Sequence, residues 1–342
     1  MIARYSALWL VLTAPAACRT AEIPVARRYP AGSPFRAQYR VVDGTRLRMI
    51  DTGTGTPVVF VHGFAASLYG WRKTLTPVLD AGYRVIAFDN RGFGFSEKPA
   101  PTVAGEKLYT NAAYARLVVA LLDSLHLSSA VLVGHSMGGA IAGEVALRYP
   151  DRVRGLVLID AAGFGVRWPA ALTVGRLPGA GDVAGALRNR WTTGQVLRST
   201  YGDPSKVTEE DVDQYYAPVA DAGYPLALRG VLRQFRFDTL VGRLGAVAAP
   251  TLVIWGGADR WIPVRDGTRL VTELPRGAFT VLPGVGHAAA EEDPDDVNRL
   301  LVSFLKEGLP RVPENVAWST PLSHSSRFSS RSILPTPPRS GS

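Results

Sequence analysis

The sequence predicts an α/β fold, a mostly parallel central sheet with helices on both faces and a helical insertion. Short all-apolar runs alternate with segments whose apolar residues recur at helical spacing, and strands covered on both faces read as such continuous runs. A serine hemmed in by glycines, "GHSMGG" at residues 134–139, stands where one such run passes into a helical segment. The alternation lapses between about residues 163 and 240 and then resumes.

Residues 1–18 carry Arg4, then an apolar stretch from Ala7 to Leu12, then small residues before Cys18. That order is the layout of a secretory signal, and it is too short to be a comfortable membrane span. With Cys18 directly after Ala16 and Ala17, the segment also resembles a bacterial lipoprotein signal. The expectation is export: a periplasmic or secreted protein, or one held at a membrane by this signal or by lipid on Cys18. Cys18 is the only cysteine, which leaves no intramolecular disulfide. Residues 19–38, rich in Pro and Arg without a sustained period, read as a linker.

The core is expected from residues 39–162 and 241–308. "YRVVDGTRLRMIDTG" reads as a hairpin turning at Asp43-Gly44, because that pair accepts the positive φ of a tight turn. There follow a strand "PVVFVHG", a helix in "YGWRKTLTPVLDAG", a strand "YRVIAFD", a helix in "YARLVVALLDSLHL", a strand "AVLVGHS", a helix from Met137 and a strand "VRGLVLID". Residues 163–240 read as a helical cap, with one helix opened by a Thr208–Asp211 capping box and another in "PLALRGVLRQFRF". The pattern resumes with "PTLVIWGGAD", a helix near Val264–Leu274, "AFTVLPGVGH" and a helix introduced by Asp293-Pro294, a good cap and first-turn pair. Residues 309–342, rich in Ser, Pro and Arg, read as a disordered tail.

With 342 residues, 46% hydrophobic and 20% charged, the chain can bury a substantial core. Its net charge of +9 sits mostly at the ends: residues 1–36 hold five Arg against one Glu, and residues 311–342 four Arg against one Glu. The nearly balanced middle has no basic stripe interleaved with aromatics, which excludes a nucleic-acid footprint. Oligomeric state has no signature in the sequence.

A serine hydroxyl is a weak nucleophile at neutral pH and must be held where a base can reach it. A strand-to-helix reversal packed into a few residues does this for Ser136. The glycines at 134 and 138 then answer to crowding where strand and helix approach most closely, and Gly139 to the same crowding. Gly134-His135-Ser136-Met137-Gly138 matches the G-x-S-x-G nucleophile elbow, and in this setting the chain resembles the α/β-hydrolase fold superfamily, specifically its capped serine esterases and lipases. Further pieces stand in the family's order: "HGF" at 62–64, "DNRGFGFSEKP" at 89–99, an acid in "WGGADRWIP" and a histidine in "GVGHAAAEEDP".

The resemblance implies a nucleophile Ser136, an acid Asp259 and a base His287, with an oxyanion hole from the N–H groups of Phe64 and Met137. Of the five histidines, His287 alone follows a strand in a glycine-rich loop. His62 belongs to the turn that places Phe64, His126 ends a helix, His135 adjoins the nucleophile without facing it, and His324 lies in the tail. Asp160, ending "VRGLVLID", is the alternative acid. Asp89, Arg91 and Ser96 are expected to brace loops, and Glu291 and Glu292 to form a solvated turn.

The expected reaction is hydrolysis of a carboxylic ester of a small or medium apolar substrate through an acyl-enzyme on Ser136. Rings at Trp168, Trp191, Tyr215, Tyr216, Phe235 and Phe237 supply apolar surface to the cap. No metal or organic cofactor is called for: neither a ligand-spaced Cys/His cluster nor a dinucleotide glycine fingerprint is present. Aspartate-nucleophile members of the superfamily are excluded by the serine. C–C bond hydrolases of ring-cleavage products share the length, cap and "SMGG" run, but they usually carry Asn before the serine and Trp after the histidine, where this chain has His135 and Ala288. Cofactor-free haloperoxidase or perhydrolase chemistry uses the same triad. A non-catalytic ligand-binding protein of this fold is the alternative of another class.

Overall fold

The computed structural model describes residues 35–164 and 188–309. The expected signal at 1–18, most of the linker, Trp168, the first part of the insertion and the tail with His324 lie outside the described residues. Phe35, inside the segment read as linker, is buried in an apolar cluster with Ile50, Val58 and Phe60 of the sheet, so the chain joins the core earlier than its composition indicates.

The strands are β1 (Gln38–Val42), β2 (Thr45–Thr52), β3 (Pro57–Val61), β4 (Arg84–Phe88), β5 (Thr102–Val103), β6 (Glu106–Lys107), β7 (Ala130–His135), β8 (Val153–Ile159), β9 (Thr251–Gly256) and β10 (Gly277–Leu282). Eight of them form one sheet in the order β1-β2-β4-β3-β7-β8-β9-β10. β1 and β2 are antiparallel, and β2 meets β4 antiparallel; every later pairing is parallel. The β1–β2 hairpin turns at Asp43 (φ +47°) and Gly44 (φ +68°), the left-handed pair a two-residue turn needs. β5 and β6 form a separate small hairpin.

The parallel strands alternate between two cores. Val59, Val61 and Leu132 point into one apolar cluster, and Val58, Phe60, Val131 and Val133 into the other. A strand with period-two side chains and both faces covered has no polar positions to spare. Helices α2 (Asn111–Ser124), α3 (Met137–Arg148) and α7 (Val264–Glu273) pack residues into the first cluster. α1 (Leu75–Asp80) and α9 (Pro294–Ser303) pack into the second.

Where the sequence reads as one helix across Tyr69–Gly82, the structure has a 3₁₀ turn at Leu68–Trp71 and then α1. Pro77 explains the break, since its ring would collide with the carbonyl of Lys73 in a continuous helix. Asp293 occupies the cap position of α9 but makes no capping hydrogen bond.

Between β8 and β9 lie α4 (Arg190–Ser199), α5 (Glu209–Val219) and α6 (Tyr224–Gln234). The Thr208–Asp211 box forms, with Thr208 Oγ1 accepting from Asp211 N at 3.1 Å and Asp211 Oδ2 accepting from Thr208 N at 3.0 Å. α6 buries Ala227, Leu228, Val231 and Leu232 in the first cluster, as do Phe235 and Phe237 just beyond it. Trp191 instead faces solvent.

The chain runs from β3 outward to β4 on one side and returns to β7 on the other. Adjacent parallel strands whose connections leave in opposite directions open a crevice at their carboxyl ends, where α/β proteins bind ligands. The "HGF" turn and Ser136 follow β3 and β7 at that crevice.

Candidate active site

Ser136 ends β7 and caps α3 with φ +51° and ψ −119°, a conformation side chains rarely adopt and one that marks strain at a working site. Its surroundings hold it there. Ser136 N–H donates to Ile159 O at 3.0 Å, and Ser136 O accepts from Ala162 N at 2.9 Å. A Cβ on Gly134 would stand 2.4 Å from Gly138 O, and one on Gly138 only 1.9 Å from Val61 O, so neither position admits a side chain. The same closeness brings the β3 turn onto the serine: a Cβ on Gly63 would lie 3.2 Å from Ser136 Cβ. Met137 opens α3, where the helix's positive end gathers.

His287 Nε2 lies 2.9 Å from Ser136 Oγ, and His287 Nδ1 lies 2.8 Å from Asp259 Oδ2. A carboxylate only accepts, so Nδ1 carries the proton and Nε2 accepts from the serine hydroxyl. Asp259 Oδ1 accepts from Trp261 N at 2.7 Å and Ile262 N at 2.9 Å, which fixes the carboxylate's second oxygen. The Trp261 ring stacks on the imidazole at 5.9 Å between centroids and 8° between planes. Ser136, Asp259 and His287 are all buried. The structure therefore brings Ser136 to within hydrogen-bond reach of a histidine 151 positions away, and that histidine to an acid 28 positions before it.

The other histidines have separate tasks. His62 Nε2 accepts from Asn90 N at 2.8 Å, so Nδ1–H donates to Gly63 O at 2.8 Å and ties down the turn bearing Phe64. Burial pushes the His62 imidazole below its ordinary value. His135 Nε2–H donates to His287 O at 2.7 Å. Burial, reinforced by the neighbouring His287, pushes His135 down to about 3.

Asp160 is buried beside the triad with φ +46°. Its Oδ1 accepts from Gly256 N at 2.7 Å and its Oδ2 from Ala289 N at 3.3 Å, so it ties the segments that carry Asp259 and His287. Burial and then the charge of Asp259 raise its pKa well above the carboxylate range. Asp89 accepts from Leu68 N and Phe95 N at 2.7 and 2.8 Å, while Ser96 Oγ donates to Asp89 O at 2.7 Å. Arg91 braces the first hairpin instead, through Thr45 Oγ1, Asp43 and Leu108 O. Phe64 packs edge-on against Phe93 and Phe237, giving the crevice an aromatic wall.

Glu291 and Glu292 do not form a solvated turn. Both are buried in the one-turn helix α8 (Ala289–Glu292) that follows His287. Glu291 bonds Arg72 and Tyr215, and Glu292 accepts three backbone N–H groups. These partners come from distant segments that pack over the acids and exclude water.

A family model described as alpha/beta hydrolase fold matches residues 56–294. The hydrolase YugF of Bacillus subtilis strain 168 is 32% identical over 254 residues, 73% of this chain and 89% of that one. A 2-hydroxy-6-oxononadienedioate/2-hydroxy-6-oxononatrienedioate hydrolase of Comamonas testosteroni is 33% identical over 271 residues, 77% of this chain and 92% of that one. Among solved structures, a meta-cleavage product hydrolase superposes with a TM-score of 0.68 at 27% identity, covering 79% of this chain and 98% of that one.

Proposed function

Because the chain belongs to the α/β-hydrolase fold family, we propose that it is a serine hydrolase attacking a carbonyl carbon through Ser136, and that the bond it breaks is a carbon–carbon bond of a ring-cleavage product. The observation that carries the first part is the unbroken run of hydrogen bonds from Ser136 through His287 to Asp259. The second part is supported by the similarity to hydrolases of 2-hydroxy-6-oxo dienoates and of meta-cleavage products. The local residues alone favour ester hydrolysis, whereas the similarity of the matched residues favours carbon–carbon cleavage.

In the reaction, His287 Nε2 takes the hydroxyl proton as Ser136 Oγ adds to the substrate carbonyl. Asp259 holds the resulting imidazolium in its tautomer and stabilises its charge. The oxyanion rests on the N–H groups of Phe64 and Met137, each such donor worth roughly 3 kcal/mol in the transition state. A 2-hydroxy dienoate first shifts its hydroxyl proton to the carbon beside the attacked carbonyl, which turns the 2-hydroxyl into a keto group. Collapse then breaks the bond to that carbon, its electron pair is delocalised through the remaining double bond into the new keto oxygen, and His287 returns its proton to the leaving enolate. Water then attacks the acyl-enzyme with His287 again as base, releasing a carboxylic acid and free Ser136.

Ester hydrolysis is the second reading, and a specific observation favours it. His135 and Ala288 stand where ring-cleavage hydrolases usually carry Asn and Trp. The steps are the same with an alcohol as leaving group. A panel of p-nitrophenyl esters alongside a 2-hydroxy-6-oxo dienoate, run on wild type and Ser136→Ala, separates the two. Preferential turnover of the dienoate by wild type alone supports the first reading; turnover of short esters without the dienoate reverses the order. Equal turnover by Ser136→Ala rejects both.

A further inference from the structure

Glu292 lies five residues after His287 and is buried although nothing in the reaction uses it. Its Oε2 accepts from Gly286 N at 2.7 Å and from Gly202 N at 2.8 Å; its Oε1 accepts from Asp203 N at 2.8 Å. Gly286 is the residue immediately before His287, and Gly202 and Asp203 lie in the α4–α5 connection. One carboxylate thus bridges the insertion and the histidine's own loop through three N–H donors. Hydrogen bonds to a charged acceptor are about twice as strong as neutral ones, so this is a stiff junction.

The backbones at the junction are in contact. A Cβ on Gly202 would stand 2.0 Å from Gly284 O, and one on Gly286 would stand 2.3 Å from Gly202 N. Ala288 N–H donates to Thr200 O at 3.1 Å, so on the other side of His287 the chain bonds directly to the same connection that Glu292 links to Gly286. Next door, Glu291 reaches Arg72 and Tyr215, while Arg72 Nη2 also meets Asp211 Oδ1 of α5 at 2.6 Å.

From this arrangement we infer that Glu292 is a positioning residue: it holds His287 in line with Ser136 by locking the histidine's loop to the α4–α5 end of the insertion. The inference rests on His287 being the general base of the proposed reaction. Misplacing a reacting group by about 1 Å costs on the order of 10²-fold in rate, so releasing one side of the histidine loop acts on turnover more than on substrate binding.

Glu292→Ala, Glu292→Gln and Gly202→Ala test the idea from both sides of the junction, with p-nitrophenyl butyrate turnover and fluorophosphonate labelling expressed per folded molecule. The expected result is a roughly 10- to 100-fold fall in kcat and in labelling rate for Glu292→Ala, with KM within about threefold. Glu292→Gln, which keeps one oxygen for Gly202 and Gly286, should recover a large part of that loss. Gly202→Ala, whose added Cβ would stand 2.0 Å from Gly284 O and push the donor Gly202 N–H away from Glu292, should lower kcat in the same way with the carboxylate itself unchanged. If Glu292→Ala does not fold, the Gln and Gly202 variants carry the test. Wild-type kcat in the folded variants, or a loss that follows the folded fraction alone, overturns the inference. Wild-type protein that resists labelling overturns the reading it rests on, whatever the Glu292 variants do.

Discussion

Adding one methyl group at Gly138 should disable the site from outside it. A Cβ there would lie 1.9 Å from Val61 O, 2.6 Å from Val61 C and 2.7 Å from His62 O. All three are backbone atoms, so no rotamer change relieves the contact. Reaching even 3.0 Å requires the end of β3 or the start of α3 to retreat by about 1.1 Å. Val61 and His62 lead directly into Phe64, and α3 begins at Met137, so either retreat displaces one of the two proposed oxyanion donors. A 1 Å error at the reacting geometry costs roughly 10²-fold, and loss of one oxyanion donor roughly 10²–10³-fold. Overpacking typically destabilises by about 1–3 kcal/mol. Gly138→Ala should therefore lower kcat/KM about 10²–10³-fold and slow fluorophosphonate labelling in step, while thermal melting drops by several degrees. Gly44→Ala is the control: its φ is +68° with nothing within 4 Å of the added atom, so it should cost about 1 kcal/mol of stability and no activity. A Gly138→Ala enzyme within threefold of wild type in kcat/KM would mean that the elbow absorbs the extra carbon without moving either donor.

Asp259→Asn should lower kcat on the order of 10⁴-fold by stabilising the wrong imidazole tautomer. Asp160→Asn should stay within about tenfold of wild type in a kinetic comparison, because the amide oxygen keeps the short bond from Gly256 N, only the longer contact from Ala289 N is lost, and Asn tolerates the positive φ; the reverse ranking would make Asp160 the acid. His62 and His135 are held below their ordinary values, so each binds a proton in the unfolded chain before it does in the folded one. Their stabilisation is complete above about pH 6.5 and is lost on acidification, at up to about 1.4 kcal/mol per pH unit for each, and for His135 that window runs down to about pH 3. Urea midpoints should fall from pH 7.5 to pH 5, and fall less in His135→Asn; an unchanged difference between the two proteins would contradict this. Arg72→Met leaves Glu291 and Asp211 without their cation and should cost about 3–5 kcal/mol in urea unfolding.

The strands and their layering were legible because burial on both faces leaves an uninterrupted apolar run that few other structures require. The elbow was legible because a serine between a strand and a helix forces glycine at 134 and 138, a local steric demand. Glu291 and Glu292 were not legible. Two acids before Asp-Pro look like a solvated turn, and their partners lie 219 and 90 residues away at Arg72 and Gly202; only tertiary packing buries them. The break between Trp71 and Leu75 was in principle visible at Pro77, but helical apolar spacing on either side masked it. Ser136, Asp259 and His287 were legible through the resemblance carried by the elbow, with Asp160 at another strand end left as the alternative acid, whereas the bond to be cleaved was not, because attack on a ketone and on an ester begins with the same groups. His135 and Ala288 depart from the Asn and Trp usual in ring-cleavage hydrolases and so count against that chemistry, whereas the similarity to 2-hydroxy-6-oxo dienoate hydrolases favours the proposed C–C cleavage.

The proposed chemistry requires His287 to make Ser136 reactive. Mass spectrometry of peptides from fluorophosphonate-treated protein tests it directly, on wild type and on His287→Ala shown to be folded by circular dichroism. A single adduct on the peptide containing Ser136, formed at least about 10³-fold more slowly without the imidazole, is the predicted result. An unmodified Ser136 in folded wild type, or equal rates in the two proteins, would contradict it.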